Sequence, residues 1–386
     1  MHRLHDTLIP MDTIVFAGGG TGGHIFPGLA IVDELLKLPG ERSVVWIGSS
    51  SGMDRSIVEG HGVRFVGIST GKLRRYFSWK NFTDLFKIAG GFFASIGILI
   101  KLKPAIVFSK GGFVSVPACL AAHLLRIPVI THECDFSPGL ATRINARVAS
   151  DIFVSYEETA RAFNERLRRR VTVTGNPVRP VFYSASAERG RAFLGCAENK
   201  VPILLVLGGS LGARQVNEMV LGSLESLCAA FVVVHQTGEQ NRDQAASDVS
   251  PTVKDRYRTY AFIRDEMADV LAAATLVVAR SGANTVWECA AAGKPMILVP
   301  LEKGSSRGDQ VENARYFVSH GAAIMLTGSE ATSERLAQTV VGLVAHEGVM
   351  VDMAHNSAAL GADRPAARIA ALVAERSARA RKKGKR

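Results

Sequence analysis

The chain has 386 residues, of which 47% are hydrophobic and 21% are charged, with a formal net charge of +11. These values are typical of a soluble globular protein, and the length favours two domains over one. The five scattered cysteines form no C-x-x-C pair, which argues against a disulfide framework or a zinc site, and the longest apolar stretch (88–100) is shorter than the about 20 residues that span a bilayer.

The first half of the chain alternates predicted strands and helices, which indicates a parallel sheet. No signal peptide is predicted, and residues 1–10 before Met11 are either a dispensable extension or a start-site artefact. A strand at 13–17 leads into a glycine-rich loop at 18–23 and a helix at about 25–38. Further strands are predicted at 44–47, 63–68, 105–109, 129–131, 152–154 and 171–174.

The second half repeats this opening pattern after a turn at 175–177 and a stretch to about 200 that lacks apolar periodicity. A strand at 203–207 is followed by a glycine loop at 208–213 and a helix at 214–227. Strands are then predicted near 231–235, 258–262, 276–279 and 296–299, and a final helix at 366–378. Each half therefore consists of βαβ units that begin on a glycine loop.

The last eleven residues account for most of the net charge. Seven basic and no acidic residues lie between Arg376 and Arg386, so the rest of the chain carries about +4. Such a segment is either a tail for anionic lipid or RNA, or a solvated chain end.

The first glycine loop contains G-x-G-x-x-G between a strand and a helix, a pattern shared with dinucleotide sites. A dinucleotide site also needs an acidic residue about 20 positions later, at the end of the second strand. Here that strand ends in Gly48-Ser49-Ser50, so NAD binding is disfavoured.

The second glycine loop spells G-x-S-x-G over 208–212, which is also the pattern of a hydrolase nucleophile elbow. No downstream histidine stands in a recognisable loop setting, and a hydrolase would leave the first glycine loop unexplained. The favoured interpretation makes Ser210 a phosphate ligand at a helix N-terminus.

Taken together, the short motifs closely resemble the GT-B N-acetylglucosaminyltransferases of peptidoglycan synthesis. The resemblance spans about residues 13–330 and rests on motifs that occur in the family's order. They are Gly19–His24 with Phe26–Ala30, Gly111–Ser115, His132-Glu133 with Pro138–Leu140, Gly175–Arg179, Gly208–Ser210, Ser281–Ala283 with Glu288, and Gln310 with Asn313-Ala314.

The resemblance implies an α/β, GT-B fold: two Rossmann-like, parallel-sheet domains facing across a cleft. The domains would be 11–176, on the acceptor and membrane side, and 177–363, which holds UDP-N-acetylglucosamine. A C-terminal helix at about 364–378 would pack back on the first domain, ahead of a basic tail at 376–386. The implied reaction is inverting transfer of N-acetylglucosamine from UDP-N-acetylglucosamine to the N-acetylmuramyl 4-hydroxyl of lipid I, giving lipid II. No cofactor or metal is expected, and the chain has no D-x-D motif.

His24 is the predicted catalytic base, because it follows the first glycine loop at a helix start, where the helix dipole favours a neutral imidazole. A histidine that only holds the loop is the plain alternative, in which case Glu133 or Asp135 would be the base. Thr21, Gly22 and Gly23 are predicted to contact substrate.

The resemblance places the donor site mostly in the second half. Arg179 and Ser210 are assigned to the pyrophosphate, Glu288 to the ribose diol and the Ile263 backbone to the uracil edge. The family's usual His-Glu-Gln-Asn reads His132-Glu133-Cys134-Asp135 here, which puts Asp135 in question as a sugar contact. Further predicted substrate contacts are Ala283, Asn284, Thr285, Gln310 and Asn313, with Asp309 replacing a usual glutamine and Leu211 another.

Cations and aromatic side chains alternate between Lys72 and Lys103, as an interfacial anchor requires. A core helix is the alternative, above all for 88–100. Docking on an anionic membrane surface is predicted through Leu73, Tyr76, Phe77, Trp79 and Phe82. The expected location is the cytoplasmic face of a bacterial membrane, as a peripheral protein, with no nucleic-acid partner and no protein partner assigned.

Three other functions remain open at this point. A related enzyme on the same scaffold would glycosylate another lipid, such as diacylglycerol. A nucleotide-sugar 2-epimerase shares the architecture but needs no membrane face. An RNA- or membrane-binding module would explain the basic tail, but it would leave both glycine loops without a role.

Overall fold

The computed structural model describes residues 12–71, 79–198, 200–209, 212–241, 250, 252–302 and 308–384, with the backbone alone for 79–83, 85, 240, 383 and 384. The chain divides into two compact units. Unit 1 comprises Met1–Arg179 and Arg364–Arg386, and unit 2 comprises Pro180–Asp363. The first unit therefore ends three residues after the boundary expected at 176.

Unit 1 is built on a seven-stranded parallel sheet in the order β3-β2-β1-β4-β5-β6-β7. Its strands are β1 (Thr13–Gly18), β2 (Ser43–Ser49), β3 (Arg64–Ile68), β4 (Ile106–Gly111), β5 (Val129–Glu133), β6 (Asp151–Val154) and β7 (Val171–Val173). Its helices are α1 (Gly22–Lys37), α2 (Asp54–Gly60), α3 (Trp79–Leu102), α4 (Ser115–Leu124), α5 (Leu140–Val148), α6 (Glu157–Arg161) and α7 (Glu165–Arg168).

Both faces of this sheet are buried, as the continuous apolar runs of its central strands require. Ile14 and Phe16 of β1 pack into the cluster beneath α1, whereas Val15 and Ala17 pack on the opposite face against α3 and α4. Alternate residues of one strand thus supply two separate cores.

Unit 2 is built on a six-stranded parallel sheet in the order β10-β9-β8-β11-β12-β13. Its strands are β8 (Ile203–Leu207), β9 (Val232–Gln236), β10 (Tyr257–Tyr260), β11 (Leu276–Ala279), β12 (Met296–Leu298) and β13 (Ala323–Met325). Its helices are α8 (Ala187–Phe193), α9 (Arg214–Gly222), α10 (Leu224–Ala230), α11 (Met267–Ala273), α12 (Ala283–Ala291), α13 (Asp309–Ser319), α14 (Ser333–Ala345) and α15 (Glu347–Gly361).

The prediction of an α/β protein with two parallel, Rossmann-like sheets is confirmed. The local differences have identifiable causes. The expected single helix at 214–227 is split at Ser223, whose hydroxyl donates to the Met219 carbonyl at 2.7 Å and competes with the helical bonding there. The stretch after 177 contains α8, which the Arg189–Asp269 pair (2.7 Å) ties to α11.

The last helix, α16 (Pro365–Gly384), belongs to unit 1 and packs against α1. It continues past the predicted end at 378, so most of the basic segment 376–386 is helical rather than a loose tail. Arg376 contacts Asp151 at 2.9 Å, and the buried Ser377 donates to Asp12 at 2.6 Å. These contacts hold the basic turn against the sheet.

The order of strands reverses once in each sheet, between β1 and β4 in unit 1 and between β8 and β11 in unit 2. In open α/β sheets a crevice for ligands forms at the carboxyl ends of the strands at such a reversal. Both glycine loops follow a strand that borders a reversal, so each unit has one expected binding edge.

Candidate active site

The first glycine loop (18–23) follows β1, and its backbone is hydrogen-bonded to the carboxylate of Asp54. Asp54, the first residue of α2, is 1% exposed, and it accepts hydrogen bonds from Gly20 N at 3.0 and 3.1 Å and from Ser49 N at 2.9 Å. A carboxylate therefore does reach this loop, from a position beyond the end of β2. Because it is buried and bonded to the backbone, Asp54 positions the loop and is not available to a ribose.

His24 lies in the first turn of α1, half-buried, with its N–H bonded to the Thr21 carbonyl at 3.1 Å. Its ring rests on the turn after β4: a Cβ on Gly112, whose φ is +75°, would come within 3.0 Å of the imidazole. The α1 N-terminus carries no acidic residue in its first turn. The geometry places the imidazole at the reversal of the sheet, and its role as a base stays a prediction.

Of the three loop residues predicted to contact substrate, Thr21 and Gly23 are exposed and Gly22 is half-buried. They border the same edge of unit 1 as His24. The structure thus brings all four predicted acceptor-side residues of this loop together.

Glu133, the second predicted catalytic residue, ends β5 and is 6% exposed. Its two carboxylate oxygens accept hydrogen bonds from Asp135 N at 3.1 Å and from Gly139 N at 2.9 Å. These bonds fold the loop 134–139 and leave Asp135, half-buried, at its start. Glu133 is therefore a builder of this loop, and its assignment as a base stays a prediction.

Three buried side chains that the sequence did not single out as a group lie beside that loop. The Lys110 ammonium donates to Cys134 Sγ at 2.9 Å, and Cys134 Sγ lies 3.9 Å from His132 Nδ1. Burial and the nearby Lys110 charge hold the pKa of His132 well below its usual range, and burial raises the pKa of the Cys134 thiol to about 11. The histidine and the thiol are thus neutral at physiological pH.

Arg179 is the last residue of unit 1, and its guanidinium lies over the Phe26 ring, 5.0 Å from the ring centroid. Phe26 is in the first turns of α1, two residues after His24. The predicted pyrophosphate ligand is therefore placed beside the helix that carries the predicted base.

The second glycine loop follows β8 in unit 2, and its predicted phosphate ligand Ser210 lies outside the described residues, as does Leu211. Around them, Gly209 and Gly212 adopt φ values of +78° and +77°. A Cβ on Gly212 would collide with the Thr237 carbonyl, so a glycine is needed at that position.

Arg280, which the sequence did not single out, stands directly after β11 on the other side of the reversal. Its guanidinium donates to Gln215 Oε1 at 3.0 Å and to the Val299 carbonyl at 2.9 Å, and desolvation lowers its pKa. A cation held beside the second glycine loop suits a diphosphate. A lone arginine before Ser-Gly gives no periodic signal, which is why the residue is visible only in the fold.

The donor-side residues of the next segment gather around α12. Asn284, Thr285 and Glu288 are half-buried in this helix, and Ala283, its first residue, is buried. Residues three and four apart share one helix face, so Thr285 and Glu288 project on the same side.

Gln310 and Asn313 of α13 tie this helix to the strand end before α12. Ser281 donates through its hydroxyl to the Gln310 carbonyl at 2.8 Å, and Asn313 Nδ2 donates to the Ser281 carbonyl at 3.1 Å. Gln310 Oε1 also accepts from Leu301 N at 3.0 Å. Both residues thus build the edge on which donor contacts are predicted, and Asp309 is the first residue of that helix.

Ile263 is 2% exposed, and its backbone N–H donates to Gln236 Oε1 at 2.9 Å. The backbone predicted to read a uracil edge is therefore engaged by a side-chain amide in this state. Its role in binding uracil stays a prediction.

The residues assigned to membrane docking fall at the start of α3. Leu73, Tyr76 and Phe77 lie outside the described residues, whereas Trp79 and Phe82 are in the helix backbone. Farther along α3, Phe86, Phe93 and Ile100 repeat every seven residues and are 66%, 69% and 55% exposed. The described parts of the chain contain no helix whose length and hydropathy would let it span a bilayer.

Comparison with known proteins assigns the family. The N-terminal domain model of glycosyltransferase family 28 matches residues 14–154, and the C-terminal domain model matches 203–371. A relative in Treponema denticola, the UDP-N-acetylglucosamine–N-acetylmuramyl-(pentapeptide) pyrophosphoryl-undecaprenol N-acetylglucosamine transferase, is 54% identical over 93% of this chain and 96% of its own length. The chain belongs to glycosyltransferase family 28.

Two further members place this family 28 chain more closely. A transferase of the same name in Shouchella clausii is 42% identical over 86% of this chain and 90% of its own. The crystal structure of Acinetobacter baumannii MurG superposes with a TM-score of 0.72 at 26% identity, covering 94% of this chain and 99% of that one. The resemblance found in the motifs is confirmed.

Proposed function

We propose that this family 28 chain transfers N-acetylglucosamine from UDP-N-acetylglucosamine to the N-acetylmuramyl 4-hydroxyl of lipid I, which forms lipid II. The observation that carries the proposal is the relative of that name, 54% identical along 96% of its length. The glycine loop at the reversal of each sheet supports it, because the reaction needs one site for an acceptor and one for a nucleotide donor.

On the acceptor side, His24 takes the proton of the 4-hydroxyl while the oxygen attacks the anomeric carbon of the donor. The helix N-terminus at α1 keeps the imidazole neutral and ready to accept that proton. Asp54 fixes the loop that precedes His24, and the Gly111-Gly112 turn supports the ring. Thr21, Gly22 and Gly23 contact the acceptor at this edge.

On the donor side, the bond between the anomeric carbon and the UDP oxygen breaks as the new glycosidic bond forms, with inversion. The N-terminus of α9, Ser210, Arg280 and Arg179 stabilise the charge that develops on the diphosphate. The ribose diol is held by Glu288, the uracil edge by Ile263. The sugar contacts are assigned to Ala283, Asn284, Thr285, Gln310 and Asn313, and a further one to Asp135.

The test is transfer of labelled N-acetylglucosamine from UDP-N-acetylglucosamine to a short-chain lipid I analogue by the purified full chain. Labelled lipid II is expected, and His24→Gln should lower kcat by about 10²- to 10⁴-fold while the protein stays folded. Near-normal turnover of His24→Gln would move the base role to Glu133 or Asp135. His123→Gln, an exposed residue at the far end of α4, is the matched control.

The same assay separates the nearest rival and tests for a metal. Diacylglycerol run in parallel should remain unlabelled, and preferential labelling of diacylglycerol would replace lipid I as the acceptor. Because cationic side chains and helix N-termini are assigned to the diphosphate, turnover should persist in excess EDTA. Loss of turnover in EDTA with recovery on adding Mg²⁺ would contradict a metal-free site.

We further propose that α3 docks the enzyme on an anionic membrane surface at the cytoplasmic face, where its lipid acceptor resides. The exposed apolar stripe of Phe86, Phe93 and Ile100 continues the predicted docking segment, and Lys87 and Lys101 are exposed at its two ends. Apolar side chains entering the interface with flanking cations are what such docking requires.

Sedimentation with liposomes tests this surface. Vesicles rich in phosphatidylglycerol should bind the chain in a salt-sensitive manner, and Phe86→Ser/Phe93→Ser should weaken binding. The control is Val349→Ser/Val351→Ser, a pair of exposed apolar residues in α15 of unit 2. Binding that salt leaves unchanged, or equal loss with the control pair, would contradict docking through α3.

A further inference from the structure

Lys110 is a buried cation whose position the proposed reaction does not explain. It lies next to last in β4, is 1% exposed, and donates to the Cys134 thiol at 2.9 Å. Among the described residues no carboxylate oxygen lies within 4 Å of its ammonium. Cys134 begins the loop after β5, and His132 lies two residues earlier on the same face of the strand.

We propose that Lys110, Cys134 and His132 form a hydrogen-bonded positioning chain that fixes the acceptor-side loop 134–139 against the segment 175–179. The inference rests on the proposed function, because it assigns these three residues a part in placing the groups that hold substrate. All three are assigned as positioning residues.

One arrangement of protons satisfies every contact in the chain. An ammonium can only donate, so Lys110 gives a proton to Cys134 Sγ. The neutral thiol points its own proton at His132 Nδ1, 3.9 Å away. The neutral imidazole carries its proton on Nε2, which donates to the Gly175 carbonyl at 3.1 Å. The direction of donation is therefore the same from β4 to Gly175.

At its Gly175 end, the hydrogen-bonded chain meets a backbone segment that has little freedom to move. Gly175 has a φ of +82°, and a Cβ there would come 2.7 Å from Pro365 Cγ. The neighbouring Asn176 is 1% exposed, and its Oδ1 lies 3.5 Å from the Ser155 hydroxyl, which donates its one proton to the Glu133 carbonyl at 3.0 Å. The segment before Arg179 is thus fixed to the same strand end as the acceptor-side loop.

Two predicted substrate contacts lie next to this hydrogen-bonded chain in the sequence. Asp135 directly follows Cys134, and Arg179 stands four residues after Gly175, over the Phe26 ring of α1. A shift of the thiol would move Asp135, and a shift of the imidazole would release the segment that leads to Arg179. The hydrogen-bonded chain consequently sets the distance between Asp135, in the loop 134–139, and Arg179, at the end of the segment 175–179.

Stability alone is a poor reason for this arrangement. Burying an ammonium is costly, and an apolar side chain of similar volume is often neutral or stabilising at such a site. A methionine at 110 should therefore leave the fold intact while removing the donor. A positioning role predicts that catalysis suffers and stability does not.

The test compares Lys110→Met, Cys134→Val, the double variant and Cys134→Ser in the full chain, with kcat and both KM values measured separately. Lys110→Met and Cys134→Val should each lower kcat/KM for the lipid I analogue by about tenfold, with the KM for UDP-N-acetylglucosamine within about twofold of wild type. The double variant should be no worse than the poorer single one, because both break the same link. Cys134→Ser should recover most of the activity, since its hydroxyl both accepts and donates.

Hydrogen exchange of the peptides covering 134–139 and 174–179 is measured alongside. Faster exchange in both segments for Lys110→Met, with an unchanged Tm, is expected. Three results would overturn the proposed positioning chain. They are kcat/KM losses that multiply in the double variant, a Cys134→Ser variant as impaired as Cys134→Val, and unchanged hydrogen exchange in Lys110→Met. If wild type labels no lipid I, the proposed function fails, and the exchange data still decide the positioning chain.

Discussion

At the scale of single residues, buried polar groups hold the loops on which substrate contacts are predicted. Asp54 is the clearest case, because one carboxylate accepts from Gly20 N and Ser49 N. In Asp54→Asn the side-chain NH₂ takes the place of one of the two oxygens that face Gly20 N, so a donor faces a donor, and the negative charge that both backbone N–H groups bond is lost. We expect a loss of about 1.5–3 kcal/mol in the free energy of unfolding of unit 1 and a lower kcat through the displaced loop.

Urea unfolding followed by hydrogen exchange of unit 1 measures the first effect, and the transfer assay measures the second. Asp33→Asn is the matched control, because Asp33 forms an exposed pair with His61 at 2.6 Å. Such surface pairs contribute only about 0–1 kcal/mol. Equal losses for both variants would show that Asp54 has no special hold on the loop.

His235 provides a pH-dependent prediction in unit 2. It is fully buried, with Nδ1 2.8 Å from the Tyr257 hydroxyl and Nε2 3.0 Å from Asn217 Oδ1, and burial lowers its pKa to about 3. The unfolded chain, with an ordinary histidine pKa near 6.5, takes up a proton that the folded state refuses. Stability conferred by the neutral imidazole is thus complete above pH 6.5 and is lost as the pH falls toward 3.

His235→Gln should therefore flatten the fall in stability between about pH 6 and pH 4 by up to 1.4 kcal/mol per pH unit, since its amide does not titrate. Urea midpoints of unit 2 across this range, followed by hydrogen exchange, give the slope. His355→Gln, at an exposed histidine of α15, is the matched control. A slope that His235→Gln does not change would mean that the imidazole is protonated in the fold.

At the scale of elements, the C-terminal helix α16 extends where the sequence predicts a tail. Truncation after Arg381 keeps the contacts of Arg376 with Asp151 and of Ser377 with Asp12, whereas truncation after Glu375 removes both. We expect the first to leave Tm and transfer unchanged. The second should lower the free energy of unfolding by about 3 kcal/mol, because the buried carboxylate of Asp12 loses the hydrogen bond that Ser377 donates to it.

Differential scanning calorimetry of the two truncated chains decides between helix and tail. A loss of liposome binding after truncation at Arg381, with transfer intact in detergent, would assign the last residues to lipid. Equal Tm values for both truncations would contradict a structural role for the basic turn.

Elements with strong periodicity were predicted well from the sequence, and those shaped by tertiary contacts were not. The strands beside the two glycine loops appear within one or two residues of their predicted bounds, because unbroken apolar runs are buried on both faces of a parallel sheet. The helix α8 was missed because the salt bridge that holds it, Arg189 to Asp269, joins residues far apart in sequence.

The candidate site divides in the same way. His24 and Glu288 could be named from local motifs, because a loop followed by a helix carries a sequence signature. Asp54, Lys110 and Arg280 could not, since each acts on a backbone or side chain that only the fold brings near. The role of Glu133 in folding its own loop is likewise visible only from its two backbone partners.

At the scale of the whole molecule, the path of the chain makes the two units unequal. Unit 2 is one continuous segment, Pro180–Asp363, with a core cluster drawn entirely from its own residues. Unit 1 is discontinuous, and its core beneath α1 includes Ile369, Ala370 and Val373 of α16. We therefore expect unit 2 to fold by itself, whereas residues 12–179 alone should not.

The prediction is that fragment 180–363 unfolds cooperatively by itself, whereas fragment 12–179 does not. Each buried isoleucine or valine of α16 contributes about 1.5–3 kcal/mol, which is a large share of the stability of a domain of this size. Fusing 364–386 to residue 179 through a short glycine-serine linker should restore unit 1, because Gly175 and Pro365 are already in contact. Near-ultraviolet circular dichroism and thermal melts of the three fragments provide the comparison. If fragment 12–179 melted as sharply as the fused form, unit 1 would be stable without α16, and the contribution of this helix to the core would be contradicted.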